Sequence, residues 1–269
     1  MNDFNNPMAG GLKIGIFDSG LGGLTVLREL LNVSQGVEYY YLGDTARVPY
    51  GIRSKRTVIK YSLQCAQFLN KFEIDLLIVA CNTASAHALE TIKKNFPHLR
   101  VEGVILPAVL EVANLKPSRL GIIGTPSTIG SGIYKKLIGR FLPNSKILQK
   151  ATPLLVPLVE EGLNETPLAE EVLKHYLSEW KNQIDLLVLG CTHYPLLKKT
   201  IKKLFPRWEI VNSARPLANV LKPLLDSDKD KPNRVSLFFT DRSAFLESFL
   251  TNIGIKEEIE GLEILNWEE

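Results

Sequence analysis

The sequence predicts an α/β protein in which one parallel-sheet unit is used twice. Three observations carry this reading. Short aliphatic runs alternate with longer stretches of helical period. The short runs are almost continuously apolar, as strands covered on both faces of a parallel sheet require. Two of the runs, with the residues that follow them, recur later in the chain at nearly the same offset.

Taken in order, residues 12–17 form the first expected strand, which leads into Asp18-Ser19-Gly20-Leu21-Gly22-Gly23. Residues 37–42 form the second and end at Gly43-Asp44-Thr45. A helix follows in which Tyr61, Cys65, Phe68, Leu69 and Phe72 make one apolar stripe. Residues 75–80 form the next strand, ending at Cys81-Asn82-Thr83; residues 119–123 end at Gly124-Thr125, and residues 185–190 at Cys191-Thr192-His193. Leu197, Ile201 and Leu204 then give a helix its apolar side, with Lys198, Lys199, Lys202 and Lys203 as its solvated face. Residues 226–233 read as a charged surface loop before a last strand at 235–239.

The echoes pair residues 74–83 with 184–193, and 14–19 with 120–125. Buried strands resemble one another in their aliphatic residues. That resemblance does not explain a Cys followed by polar residues at the end of both copies. Residues 235–239 lie beyond the second copy and are expected to return to the first unit. The expected domains are therefore 1–100 plus 212–269, and 101–211.

Composition sets the broad class. With 269 residues, 45% hydrophobic and 23% charged, the chain is long enough to bury a real core. Its 32 basic and 29 acidic residues leave a net charge of +3, too balanced for nucleic acid or an anionic membrane as main partner. No apolar run approaches the ~18 residues of a membrane-spanning helix. Residues 1–12 lack the basic start and apolar stretch of a signal peptide. Three separated cysteines, none in a Cys-x-x-Cys pair, point to a reducing cytoplasm, with neither disulfides nor bound metal.

In open parallel sheets, ligands bind beyond the carboxyl ends of the strands. A lone cysteine is usually a small buried hydrophobe, and Cys65 fits that role within its stripe. Cys81 and Cys191 do not, because each closes a strand and is followed at once by hydrogen-bonding residues. A thiol at a helix N-terminus feels the positive end of the macrodipole, which is expected to lower its pKa below about 8.5. Two thiols facing across a cleft suit inversion of a stereocentre: one removes a proton from one face and the other delivers one to the opposite face. Asp18 and His193 also stand at strand ends, where they can tune the thiols. His87, His98 and His175 have no such setting and read as structural or surface residues.

The loop Asp18–Gly23 lacks both Gly-x-Gly-x-x-Gly spacing and a following Lys, so its glycines indicate close backbone approach of a ligand rather than nucleotide binding. Its N–H groups, with Ser19, Asn82, Thr83, Thr125, Thr128 and Thr192, suit a small molecule bearing carboxylates. Any one of those hydroxyls serves equally well as a helix cap. Tyr50-Gly51 follows Pro49 and reads as a turn.

Five motifs in order strengthen the reading: Asp18-Ser19-Gly20-x-Gly22-Gly23; Gly43-Asp44-Thr45-Ala46-Arg47-x-Pro49-Tyr50-Gly51; Ala80 to Ala86 around Cys81; Val156 to Gly162; and Gly190 to Leu196 around Cys191. Together, from about residue 13 to 220, they resemble the bacterial glutamate racemases of the aspartate/glutamate racemase family. The resemblance implies two pseudo-symmetric α/β domains with the active site in the cleft between them, commonly as a homodimer. It implies a cytoplasmic, cofactor-independent enzyme that interconverts L- and D-glutamate and supplies D-glutamate for peptidoglycan. Cys81 and Cys191 map onto the opposed acid and base, Cys81 toward the D-substrate and Cys191 toward the L-substrate. Asp18, Glu160 and His193 map onto the supporting catalytic residues. Asp18, Ser19, Tyr50, Gly51, Asn82, Thr83, Thr125, Thr128, Thr192 and His193 map onto the substrate contacts.

Three positions depart from the resembling pattern: Leu106 where an acid is common, Thr152 where Cys is frequent, and Asn212 where Asp is expected. None is among the proton-transfer groups. Two other readings compete. One is a racemase for aspartate or another acidic substrate, and the other is a binding protein acting through a protein partner, which the intact Cys81 and Cys191 disfavour. A thiol hydrolase fits less well, because His193 adjoins its Cys in sequence.

Overall fold

The computed structural model describes residues 11–225, 231–255 and 259–265. Residues 226–230 of the expected charged loop, and the first ten residues of the chain, lie outside the described residues. The strands are β1 (Leu12–Asp18), β2 (Val37–Gly43), β3 (Leu76–Val79), β4 (Arg100–Gly103), β5 (Arg119–Gly124), β6 (Lys146–Ala151), β7 (Leu186–Gly190), β8 (Glu209–Asn212), β9 (Arg234–Phe239) and β10 (Ile259–Ile264). They build a six-stranded sheet in the order β10-β9-β2-β1-β3-β4 and a four-stranded sheet in the order β6-β5-β7-β8. Every pairing between them is parallel.

Within this frame β2-β1-β3-β4 and β6-β5-β7-β8 have the same arrangement. The echoing segments occupy matched places, β1 with β5 and β3 with β7. β9 pairs with β2, Tyr39 opposite Val235 and Leu42 opposite Phe238, so the last expected strand joins the larger sheet. The expected division points need correction. Val101 pairs with Leu77 and Gly103 with Val79, so the larger sheet holds the chain through Gly103 rather than residue 100. Asn212 pairs with Leu189 and so belongs to the smaller sheet. We propose that the second unit runs from the helix Ile105–Leu115, whose Ile105, Ala108, Val109 and Val112 pack with β5 and β7, through Asn212.

The central strands are buried along their length, as in the case of β3 and β7. The helix Lys55–Asn70 starts at Ser54, whose hydroxyl accepts the Thr57 N–H, and turns Cys65 and Leu69 into the core. Phe72, expected on the same stripe, lies just past the helix end and stacks on Tyr40 with ring centroids 4.6 Å apart. The largest core cluster contains Ile14, Ile16 and Leu27 from one half and Leu187, Leu189 and Tyr194 from the other. Packing is therefore continuous between the halves, which fixes how their strand ends meet. Each fully buried Leu or Ile there contributes roughly 1.5–3 kcal/mol by leaving water.

Candidate active site

The carboxyl ends of β1, β3, β5 and β7 converge on one small cavity of about 20 Å³. Ser19, Tyr50, Gly51, Cys81, Asn82, Thr83, Thr125, Cys191, Thr192 and His193 line it, together with Val48, Pro49, Val156 and Gly190. Ten of the sequence-predicted residues are thus brought together. Asp18 and Thr128 stand behind this lining, fully or almost fully buried, and Glu160 faces a neighbouring cavity of about 290 Å³. A space of 20 Å³ holds about one water molecule, so any larger ligand enters only if the walls part.

The walls touch where glycines permit it. A Cβ on Gly22 would fall 2.5 Å from both His193 Nδ1 and Thr192 Oγ1. One on Gly51 would fall 2.4 Å from Thr125 Cβ. Each glycine belongs to the larger-sheet half and each obstacle to the other, so the absence of a side chain lets the halves close.

On the first wall, Cys81 occupies the N-cap of the helix Asn82–His87, and its Sγ lies 3.6 Å from Ser19 Oγ. The sequence argument expected the helix terminus to lower this thiol's pKa. The structure reverses that expectation: burial pushes it up to about 12, Asp18 adds to the rise, and the Ala84 N–H and Ser19 oppose it. The physical reason is scale. A helix of six residues offers few aligned dipoles against complete removal from water.

On the second wall no α-helix begins at Cys191. The chain passes through a short 3₁₀ turn, Tyr194–Leu197, before the helix Lys198–Leu204. The macrodipole expectation for this cysteine therefore has no structural basis. Instead Cys191 Sγ lies 3.7 Å from His193 Nδ1, while His193 Nε2 lies 3.0 Å from Glu160 Oε1. Burial alone would strip the proton from this imidazole. Cys191 and Glu160 outweigh it and hold the His193 pKa up at about 10. With its pKa raised, a protonated His193 directs one N–H at Cys191 Sγ and the other at Glu160 Oε1.

Asp18 connects the walls. Its Oδ1 accepts from Thr192 Oγ1 at 3.2 Å and its Oδ2 from the Gly20 N–H at 3.0 Å. Burial raises its pKa against the lowering effect of His193, the Gly23 and Gly20 N–H groups and Thr192. Thr83 Oγ1 meets Thr125 Oγ1 and Thr128 Oγ1, each at 3.0 Å, while Thr125 also caps its own helix by accepting the Thr128 N–H. Tyr50 lines the cavity, yet its hydroxyl turns away to Asp44, which also accepts from Arg47 Nε and Thr240 Oγ1. Glu161 lies beside the outer cavity. Among the remaining histidines, His87 bonds Ser127 across the halves at 3.0 Å.

The departures also have physical accounts in two cases. Asn212 Oδ1 accepts the Ala214 and Arg215 N–H groups, the capping work an Asp would do. Thr152 is buried and its hydroxyl meets Tyr194 OH at 2.8 Å. Leu106 is half exposed, and nothing around it explains the choice.

Sequence reasoning missed Thr25, Tyr134 and Ser213. Thr25 Oγ1 donates to the Thr192 carbonyl at 2.9 Å; Tyr134 OH donates to Asn82 Oδ1 at 2.6 Å; Asn82 Nδ2 donates to Ser213 Oγ at 3.1 Å. Thr25 and Tyr134 sit inside helices and read in sequence as core, so no local signal marks them.

The two α/β halves place one thiol on each wall of a shared cleft, with His193 and the buried Asp18 beside them, the architecture of a small-molecule enzyme site. Residues 14–220 match the family model described as Asp/Glu/Hydantoin racemase, and the chain belongs to that family. It is 48% identical over 250 residues to a glutamate racemase of Aquifex aeolicus (strain VF5), covering 93% of this chain and 96% of that protein. It is 51% identical over 239 residues to a glutamate racemase of Aquifex pyrophilus, covering 88% and 91%. The fold matches the crystal structure of a Francisella tularensis glutamate racemase in complex with D-glutamate, with a TM-score of 0.87, 33% identity, and coverage of 95% and 98%.

Proposed function

We propose that this protein interconverts L- and D-glutamate, without a cofactor, by proton transfer between two cysteines. The observation that carries the reading is that Cys81 and Cys191 reach one cavity from opposite halves. In one direction a thiolate removes the α-proton, and the C–H electron pair stays on Cα. The opposing S–H then delivers its proton to the other face, so the product is inverted and the thiolate has changed sides. In the reverse direction the roles exchange, with Cys81 serving the D-substrate and Cys191 the L-substrate.

The remaining groups suit that chemistry. The carbanion carries its charge into the α-carboxylate, and fixed donors aimed at that group lower its energy. Ser19, Asn82, Thr83, Thr125 and Thr192 supply side-chain donors around the cavity. His193 adjoins Cys191 and is itself anchored by Glu160, so a proton can be held or returned beside that thiol. Asp18 stands behind the lining, where it accepts from Thr192 Oγ1, and acts as the buried carboxyl of the site.

Glutamate is preferred over aspartate because the relatives with 42–51% identity are glutamate racemases. By the same resemblance we propose that the enzyme works in the cytoplasm as a homodimer and supplies D-glutamate for peptidoglycan. The test is incubation with L-glutamate in deuterated water without pyridoxal phosphate. D-glutamate carrying α-deuterium is the expected product. Absence of both D-isomer and deuterium, with turnover of aspartate instead, would move the assignment to an aspartate racemase.

A further inference from the structure

A side chain from the opposite half of the molecule holds the segment of each cysteine. Cys81 precedes the helix Asn82–His87 of the larger-sheet half. The Asn82 amide is gripped on both sides: Tyr134, in the helix Ile133–Phe141 of the other half, donates to Oδ1 at 2.6 Å, and Ser213, at the junction directly after β8, accepts from Nδ2 at 3.1 Å. Cys191 is held in the converse sense. Thr25, in the first turn of the helix Leu24–Leu31, directs its hydroxyl at the Thr192 carbonyl at 2.9 Å and at the Gly22 carbonyl at 2.8 Å. Tyr134, Ser213 and Thr25 are each about 1% exposed, and none of them lines the cavity. Their influence on chemistry therefore runs through the residue next to each thiol.

We propose that Tyr134 is a positioning residue for Cys81 and Thr25 a positioning residue for Cys191, so that each thiol is aimed by a hydroxyl of the opposite half. This rests on the two-thiol reading above. Parting of the walls to admit substrate breaks these crossing bonds, and closure re-forms them. Each Sγ then reaches its place against Cα only when the two halves are together. A 2.6 Å phenol–amide bond in a dry site is a firm anchor for that purpose. Its loss leaves the backbone intact and lets the first turn beyond Cys81 drift.

The pair of residues gives a test that a merely structural role does not satisfy. L- and D-glutamate have equal free energy, so any variant lowers kcat/KM by the same factor in both directions. Rates alone do not reveal which thiol was disturbed. The primary isotope effect with α-deuterated substrate does, because it grows when the thiol that removes the label becomes limiting and shrinks when the other one does. For Tyr134→Phe we expect kcat/KM to fall about tenfold. The isotope effect should rise for the enantiomer that Cys81 deprotonates and fall toward unity for the other. Thr25→Val should give the opposite pattern.

Ser213→Ala removes the second support of the same amide and should shift the isotope effects in the sense of Tyr134→Phe, which keeps the test open if the latter variant fails to fold. A lowered melting temperature with both isotope effects unmoved would overturn the proposal, as would shifts of the same sense in the Tyr134 and Thr25 variants. A wild-type protein that neither racemises glutamate nor exchanges its α-proton would instead sink the two-thiol reading.

Discussion

The two walls of the site begin from the same plan and end differently. Cys81 and Cys191 both follow the strand that pairs directly with the first strand of its sheet, β3 beside β1 and β7 beside β5. After Cys81 the chain enters an α-helix at once, and the nearest partner of the thiol is the Ser19 hydroxyl. After Cys191 it enters a 3₁₀ turn, and the nearest partner is the His193 imidazole, backed by Glu160. Matching strands deliver two sulfurs to one place. The residues that follow give one a neutral neighbour and the other a charged one, so the site is symmetric in position and asymmetric in proton chemistry.

The largest expected effect comes from removing either sulfur. Cys81→Ala and Cys191→Ala should each lower racemisation by about a thousandfold or more, because two-base inversion has no substitute on that face. Full activity of either variant in an assay of both enantiomers would break the comparison at its root.

The asymmetry itself is sharpened by Glu160→Gln. Loss of the carboxylate at Nε2 should bring the His193 pKa down from about 10, seen as a downfield-to-upfield imidazole titration at lower pH by NMR. Activity should fall roughly tenfold to a hundredfold. The sign for stability follows from the same shift. His193 is raised from 6.5 to about 10, so its contribution is fully present below pH 6.5 and is lost as pH rises toward 10. The melting temperature of the wild type should decline over that window, and the decline should be shallower in Glu160→Gln. An unchanged pH profile would mean that the His193–Glu160 pair does not hold the proton.

The smallest effect concerns the frame rather than the walls. Asn212→Ala removes the acceptor for two N–H groups at the start of the helix Ala214–Leu225 and should cost about 1 kcal/mol by denaturant unfolding. Asn212→Asp should be neutral or slightly stabilising at the same helix terminus.

Which strands were legible in the sequence follows their place in the sheets. The six expected strands became β1, β2, β3, β5, β7 and β9, all of them interior. The four that went unrecognised, β4, β6, β8 and β10, are the edges of the two sheets. β6 is exposed or half-buried at every residue, and β10 is nearly all exposed. An edge strand is covered on fewer sides, so its sequence need not carry the continuous apolar run that marks a buried one. The division points were misplaced for the same reason, since one fell inside β4 and the other at the end of β8.

By itself the sequence determined the class of fold, the repeated unit and the residues that gather at the strand ends, because burial on both faces and a Cys followed by polar residues are local signals. The tertiary structure decided what those residues experience. The pKa of Cys81 is set by burial rather than by its short helix, and the proton on His193 by Cys191, two residues away, together with Glu160, which is distant in sequence. Tyr134, Ser213 and Thr25 acquire a place beside the site only because segments distant in sequence bond to one another there. Desolvation and contacts between distant segments exist only in the folded chain, and no spacing of residues encodes them.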